Sequence, residues 1–376
     1  MELDKILCRY GELTLKSNYT RRFFEDKIIS NISSGLKNKG IKFKVEKEPG
    51  RLFIKTKEIE NSLGVLRRVF GLTSISPVKE VVIKADIEKL TREGTKFASN
   101  YIKKDYKFSV RAKRTGNDAF TSQMIERKIG ADIVKKIGSE VDLTNPDKTL
   151  YVEVRQNKAY FFKERIECPG GLPMGTQGKV LVLFSGGIDS AVAAWMMMKR
   201  GCDVTALYYD ITGKKSLKRA QSVLKQLNKW SIGNKIELIE IKYKNTLNKI
   251  TKECKSNLTC LICKRMMYRI AEKTANKNEA KVLVTGENLG QVASQTLDNL
   301  NVLDRAIETP VLRPLIGLNK EEIIEIAKKI GTYEASISSH EICQSIPEKP
   351  RTKGRIDEVE REEEKLEIEK MINKLL

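Results

Sequence analysis

Residues 179–195, KVLVLFSGGIDSAVAAW, decide how the C-terminal half is read. Lys179 to Phe184 is a short apolar run of strand character, and SerGlyGlyIleAspSer (Ser185 to Ser190) ends it just before an alanine-rich helical stretch. Glycine permits a tight turn and close backbone approach, and two serine hydroxyls flank the pair. The helix behind them offers free N–H groups and the positive end of its dipole to an anion. This predicts a phosphate cradle. It has neither the lysine of the GxxxxGK[ST] loop nor GxGxxG spacing, so neither kinase-type nor dehydrogenase-type binding follows. A surface glycine turn is the bland alternative, against which stands the order strand, loop, acid, helix.

Working outward, Asp203 to Tyr209, Ile236 to Ile241 and Lys281 to Thr285 are further short β-rich runs separated by helical stretches. They imply a parallel sheet covered on both faces, a doubly wound α/β domain. Cys168 to Gly178, rich in Gly and Pro, breaks both periods and marks the main boundary. Before it, a strand at Lys5 to Arg9, a helix at Arg21 to Lys37, a hairpin of Lys42 to Glu46 with Arg51 to Lys55, and a helix at Ile59 to Arg68 make a βαββα unit. Gly71 to Pro77 interrupts the periodicity. Helices at Asp86 to Lys103 and Thr121 to Ile137 follow, with strands at Tyr106 to Ala112, Leu150 to Gln156 and Lys158 to Glu164. The expected division is an α+β half of two small basic domains, 1–70 and 71–168, then the α/β domain at 169–376. Arg355 to Leu376 reads as one charged amphipathic helix that caps a domain or meets a second chain.

Seventy Lys and Arg against 49 Asp and Glu give the 376 residues a net charge of +21, so a polyanion, nucleic acid first, is the expected partner. A 40% hydrophobic fraction excludes fibrous and wholly disordered classes. The start, MELDKILCRYGEL, lacks the apolar core of a signal peptide, and the run Val180 to Met198 carries Asp189 and a double glycine, so no membrane span and a cytoplasmic location are expected. Seven cysteines in a reducing compartment favour metal or thiol chemistry over disulfides. Cys260 and Cys263 form a CxxC at a helix start, and Cys343 lies in HisGluIleCysGlnSer. Three thiolates suit a [4Fe–4S] cluster with one open iron; persulfide chemistry on Cys343, zinc with His340 as a fourth ligand, and buried structural thiols stay open beside it. Arg111, Lys113, Arg114, Arg155, Lys163 and Arg165, with Phe108, Tyr160 and Phe161 among them, suit phosphate contacts and base stacking on RNA, or simply a basic surface over core aromatics.

The loop resembles the SGG[IV]DS pyrophosphate loop of enzymes that cleave ATP to AMP and pyrophosphate. With RYGELTLK, Arg21, Arg22 and Phe23, VFGLTSISP, VRAKR, GGLPMGTQGK, TGENLGQVASQT and LRPLIGLNKEEII, taken in order, the whole chain is similar to the tRNA 4-thiouridine sulfurtransferases, the ThiI family. The resemblance implies a ferredoxin-like domain, a THUMP domain and a PP-loop domain of the adenine nucleotide alpha hydrolase type. It implies adenylation of uridine 8 of tRNA on its C4 oxygen, using ATP with Mg2+, and replacement of AMP by sulfur. By that likeness Asp189 orients magnesium or the attacking oxygen, and Cys260, Cys263 and Cys343 handle sulfur. Leu183, Phe184, Ser185, Gly186, Gly187, Ile188, Ser190, Tyr208, Tyr209, Arg265, Gly286 and Gln295 contact ATP. Arg111, Lys113, Arg114 and Arg313 contact RNA, the last of these or the pyrophosphate. Thr285, Glu287, Asn288, Gln291, Ser294 and Thr296 belong to the same wall, Gln291 and Gln295 as an i,i+4 pair on one helix face. The chain departs from the family at Ala191, where Pro is usual, and at AlaLeuTyrTyrAsp (Ala206 to Asp210). It ends at Leu376 without the rhodanese domain of some bacterial members, so sulfur is expected from sulfide or a cysteine desulfurase persulfide. A homodimer is expected. The rival readings are a thiolase of another tRNA uridine and a non-catalytic tRNA-binding protein.

Overall fold

The computed structural model describes residues 3–12, 17–84, 86–116, 120–338, 343 and 345–376, which form two compact units, Met1–Gly171 and Leu172–Leu376. His340, weighed above as a ligand, lies outside the described residues.

In the first unit the order is β1 (Lys5–Tyr10), α1 (Asn18–Lys37), β2 (Lys44–Glu48), β3 (Arg51–Lys55), α2 (Ile59–Leu66), β4 (Leu72–Val82), α3 (Ile87–Ala98), β5 (Lys107–Thr115), α4 (Ser122–Ile137), β6 (Glu140–Val141), β7 (Lys148–Arg155), β8 (Lys158–Phe162) and β9 (Ile166–Glu167). The strands run β2-β3-β1-β4-β8-β7-β5-β6, with β9 also on β4. Gly71 to Pro77, expected to interrupt the pattern, instead opens the long strand β4, whose first half pairs β1 and whose second half pairs β8. Pro77 is tolerated because it lies between Ile75, the last partner of β9, and Lys79, the first partner of β8, where no ladder on that side asks for its N–H.

Phe108 and Phe161 are fully buried among Ile125, Ile129 and Leu90 under α3 and α4. Tyr160 stacks on Phe53 with 4.6 Å between ring centroids. None of the three is a platform for a base; their hydrophobic area is spent on the core.

The second unit contains β10 (Lys179–Leu183), α5 (Ile188–Lys199), β11 (Asp203–Asp210), α6 (Lys214–Leu227), β12 (Leu238–Lys242), α7 (Lys244–Glu253), α8 (Thr259–Lys277), β13 (Leu283–Val284), α9 (Leu297–Asp304), β14 (Val311–Leu312), α10 (Lys320–Ile330), α11 (Tyr333–Ile337), α12 (Ile356–Glu363) and α13 (Ile368–Asn373). All pairings are parallel, in the order β12-β11-β10-β13-β14. The chain leaves β10 toward β11 on one side and later returns to β13 on the other. The switch point, where ligands of such sheets bind, is therefore at the carboxyl ends of β10 and β13. The terminal stretch is two short helices, α12 and α13, both against α8. Among the described residues no helix is long and apolar enough to cross a membrane.

Candidate nucleotide and thiol site

The loop after β10 is shaped by one glycine and two hydroxyls. Gly186 has φ +71°, and a Cβ there would stand 2.6 Å from Ala220 Cα, so only glycine fits. Ser185 Oγ accepts from the Gly187 N–H at 3.2 Å, and Ser190 Oγ donates to the Gly187 carbonyl at 3.1 Å. Helix α5 starts at Gly187 with no side-chain cap, which leaves its first-turn N–H groups open to an anion. Gly286, after β13, presses onto the same turn: a Cβ on it would lie 2.8 Å from Ser190 N.

Asp189 is gripped from two distant places. Lys320 Nζ, at the first position of α10, lies 2.6 Å from Oδ1, and Gln291 Nε2 donates to Oδ2 at 3.2 Å. Sequence reading missed Lys320; its one signal, a lysine opening a capped helix in LeuAsnLysGluGlu, says nothing of a partner 131 positions away.

A cavity of about 260 Å3 opens beside the loop. Of the residues expected at ATP, Leu183, Ser185, Ser190, Gly286 and Gln295 line it, together with Asp189. Lys264, Met267 and Tyr268 of α8 also line it, as do Thr285 and Glu287. Phe184, Gly186, Gly187 and Ile188 build the loop without lining the cavity. Three expectations need correction. The Arg265 side chain is 1% exposed, with Nε and Nη2 on Glu363 at 2.9 and 3.0 Å and Nη1 on the Val302 carbonyl, so it serves the fold and not the nucleotide. Tyr208 is buried on Ser216 at 2.7 Å, and the Tyr209 hydroxyl donates to the Met267 carbonyl at 2.5 Å. Gln291 and Gln295 share no α-helix: Gly290, at φ +75°, donates to the Gln295 carbonyl and closes a loop ending in a 3-10 turn, Ala293–Gln295.

Glu287 is the electrostatic centre of the wall. Its Oε1 accepts from Lys264 at 3.0 Å; its Oε2 accepts from Tyr268 at 2.7 Å, Thr285 at 3.0 Å and Arg313 at 2.9 Å. Burial alone would raise this carboxyl, but Lys264, Arg313 and Tyr268 outweigh it and hold it at about 2. Arg313, expected on RNA or pyrophosphate, is spent inside this network, with Asp304 on its outer nitrogens at 3.0 and 2.5 Å.

Cys260 and Cys263 sit in the first turns of α8, and Cys343 lies half-buried against the same core. Burial pushes the Cys263 thiol up to about 12 and raises Cys260, and the nearness of Cys343 adds to both. The three thiols therefore share one neighbourhood. Among the described residues no three His, Cys, Asp or Glu are placed as ligands of one metal ion. Magnesium is a different case, since it is commonly held by one or two carboxylates plus substrate phosphates, and Asp189 at a phosphate loop suits that role.

In the first unit, Arg111 and Lys113 stand exposed along β5 and Arg114 is half-buried. Arg111 and Arg114 reach the carbonyls of Leu143 and Gly116, both at 2.5 Å. Lys163 and Arg165 are exposed, the latter 4.8 Å over Tyr151. Arg155 is withdrawn from any surface role, buried against Glu48 and Glu153 at 3.3 and 3.2 Å.

Residues 175–368 match the family described as thiamine biosynthesis protein (ThiI), residues 5–76 the ThiI ferredoxin-like domain and residues 84–163 the THUMP domain. The chain is 42% identical to a "Probable tRNA sulfurtransferase" of Methanobrevibacter smithii, over 96% of its own length and 95% of the relative's. It is 42% identical to another of that name from Thermococcus kodakarensis, over 94% of each. A solved structure described as a 4-thiouridine synthetase–RNA complex with bound ATP superposes with a TM-score of 0.86 at 32% identity, covering 100% of this chain and 97% of the other.

Proposed function

This chain belongs to the ThiI family, and from that premise we propose that it is an ATP-dependent tRNA sulfurtransferase that converts uridine 8 to 4-thiouridine. The observation that carries the reading is the Ser185 to Ser190 loop, closed by Gly286 over a cavity, in a chain that aligns end to end with a 4-thiouridine synthetase bound to RNA and ATP.

The residues divide the work. The open N–H groups of α5 and the two serine hydroxyls receive phosphate, and Leu183 and Met267 give the cavity apolar wall. Asp189, held by Lys320 and Gln291, would hold the magnesium that accompanies ATP, which would offset charge on the phosphates there. The uridine O4 bonds to the α-phosphorus, the bond to the bridging oxygen breaks with its electron pair leaving on pyrophosphate, and the N3 proton passes to solvent. Where sulfide is the donor, HS− adds at C4 and the C4–O bond breaks with its electron pair on AMP. Where Cys343 carries a persulfide, its outer sulfur adds at C4 as AMP leaves. The thiolate of Cys260 or Cys263 then attacks the Cys343 sulfur, so that the S–S bond breaks with its electron pair on the thiouridine sulfur, and a cysteine disulfide is left for an external dithiol to reduce. Cys343, half-buried like Cys260 and beside the buried Cys263, is the residue we place at the sulfur, with Cys260 and Cys263 next to it. The THUMP segment, with Arg111, Lys113 and Arg114, takes the tRNA.

Sulfide or a desulfurase persulfide supplies the sulfur, the protein works in the cytoplasm where its tRNA is, and it does so as a homodimer; sedimentation of the pure protein tests the last point. Anaerobic purification with iron and sulfide analysis tests the cluster reading of the cysteines. The decisive experiment is pyrophosphate release with and without unmodified tRNA, followed by nucleoside mapping. Release stimulated by tRNA and 4-thiouridine at position 8 are expected; a thiolated nucleoside elsewhere favours another uridine, and no stimulation sinks the enzyme reading.

A further inference from the structure

We infer that Asn299 is a positioning residue for sulfur transfer: it clamps the strap 351–354 between the thiol end of α8 and the loop that serves the nucleotide. This rests on the reading above, in which the uridine is first adenylated and then attacked by sulfur. Asn299 lies in the first turn of α9, is fully buried, and devotes its amide to backbone groups. Its Nδ2 donates to the Ala293 carbonyl at 2.7 Å and to the Arg351 carbonyl at 2.8 Å, and its Oδ1 accepts from the Gly354 N–H at 2.8 Å. Thr296, the N-cap of α9, donates from its hydroxyl to the Thr352 carbonyl at 2.6 Å. The strap enters these bonds through its main chain, so what they fix is its place and not its side-chain chemistry.

The other side of the strap meets the cysteines. The Arg351 N–H donates to the Asn257 carbonyl at 3.0 Å, just ahead of α8, and Gly354 lies on Leu261, which stands between Cys260 and Cys263 in sequence. A Cβ on Gly354 would be 2.7 Å from Leu261 Cδ1 and 2.8 Å from Asn299 Oδ1, so the strap has no slack toward either neighbour. The clamped loop carries two residues of the adenylation site: Gln291 donates to Asp189 at 3.2 Å, and Gln295 lines the cavity. Both segments that the strap joins thus bear, a few residues away, groups that the reaction needs at a fixed place.

Burial alone does not ask for an amide here, since a leucine fills a similar volume without polar groups to satisfy. What the amide adds is register: it holds two main-chain segments at one offset, and with them the start of α8 against the loop. The consequence is chemical. Water can add at C4 of the adenylate as sulfur does, the C4–O bond breaking with its electron pair on AMP to give back uridine. A thiol end displaced by about 1 Å forfeits on the order of a hundredfold of its advantage over water. Adenylation survives such a displacement, because Asp189 keeps Lys320 and the loop stays closed on itself through Gly290 and Gln295.

The test uses the full-length protein with Asn299→Ala and Gly354→Ala, one on each side of the contact, and Thr352→Ala as a control whose side chain is outside the clamp. The readout is 4-thiouridine formed per pyrophosphate released, with unmodified tRNA, ATP, and either sulfide or cysteine with its desulfurase. This ratio does not depend on how much of the enzyme is folded, so a loss of stability alone leaves it unchanged. Asn299→Ala and Gly354→Ala should lower it roughly ten- to a hundredfold with pyrophosphate release kept within about threefold, and Thr352→Ala should not move it. An unchanged ratio, or a fall in both products together, overturns the inference. Amide exchange on the wild-type protein needs no variant, tRNA or sulfur: ATP should slow exchange at Arg351 and Gly354, which the clamp ties to the cavity loop, and rates unaffected by ATP refute the inference. That measurement stands even if tRNA fails to stimulate pyrophosphate release, so the two readings fail separately.

Discussion

Asp189 joins two groups that chain spacing cannot reveal, the ammonium of Lys320 and the amide of Gln291, and both are spent on aiming one carboxylate at the phosphate loop. Asp189→Ala should therefore abolish tRNA-dependent pyrophosphate release and leave tRNA affinity within about twofold, because the acid acts at the α-phosphate and not on the RNA body. Near-normal release from this variant would remove the role. Glu287 carries a pH consequence. Its folded carboxyl, at about 2, lies below the ordinary 4.5, so its stabilisation is complete above about pH 4.5 and is lost as pH falls toward 2, on the order of 3 kcal/mol in all. Urea midpoints between pH 5 and 2.5 should fall less steeply in Glu287→Gln than in the wild type, and parallel curves would contradict this. At this scale the sequence was legible where chemistry is local: the glycines and hydroxyls of Ser185 to Ser190 declare themselves. Arg265 and Arg313 were misread because an arginine's partner, here Glu363 or Glu287, is set by folding and not by neighbours in the chain.

Helix α8 shows how one element can hold the site and the fold at once. Cys260 and Cys263 begin it, Lys264, Met267 and Tyr268 face the cavity, and Arg265 and Arg269 turn away to share Glu363 of α12. Glu363→Ala would leave the 1%-exposed Arg265 without its carboxylate, a loss expected at about 3 to 5 kcal/mol, read as a lower Tm. A change below about 1 kcal/mol would mean Glu360, 3.7 Å from Arg265, takes over. Most strands of five or more residues and the long helices were readable from their periods, but β4 was hidden by the Gly, Ser and Pro of its first half, and β14 has two residues and gives no period to read. The stretch 288–296 failed for another reason: its helical spacing is overruled by Gly290 in the left-handed region and by a bond that closes the loop back on itself.

Over the whole molecule the excess of positive charge was visible from composition, yet its places were not, since Arg155 is consumed internally while Arg111 and Lys113 stay in solvent along β5. Reversing Arg111, Lys113 and Arg114 to Glu should weaken tRNA binding and reduce the slope of log affinity against log salt by roughly 0.7 to 0.9 for each phosphate no longer neutralised. An unchanged slope would take β5 out of the RNA footprint. A boundary at residue 70 was expected to separate the first two domains, but β4 spans both of their sheets, pairing β1 with one half and β8 with the other. A strand shared in this way is a common member of two hydrogen-bond ladders: neither ladder can open along it without exposing the other's edge. Amide protons of β1 and β7 should then exchange through one concerted opening, so that heat or denaturant melts the first 171 residues as a single body whatever the names given to its parts.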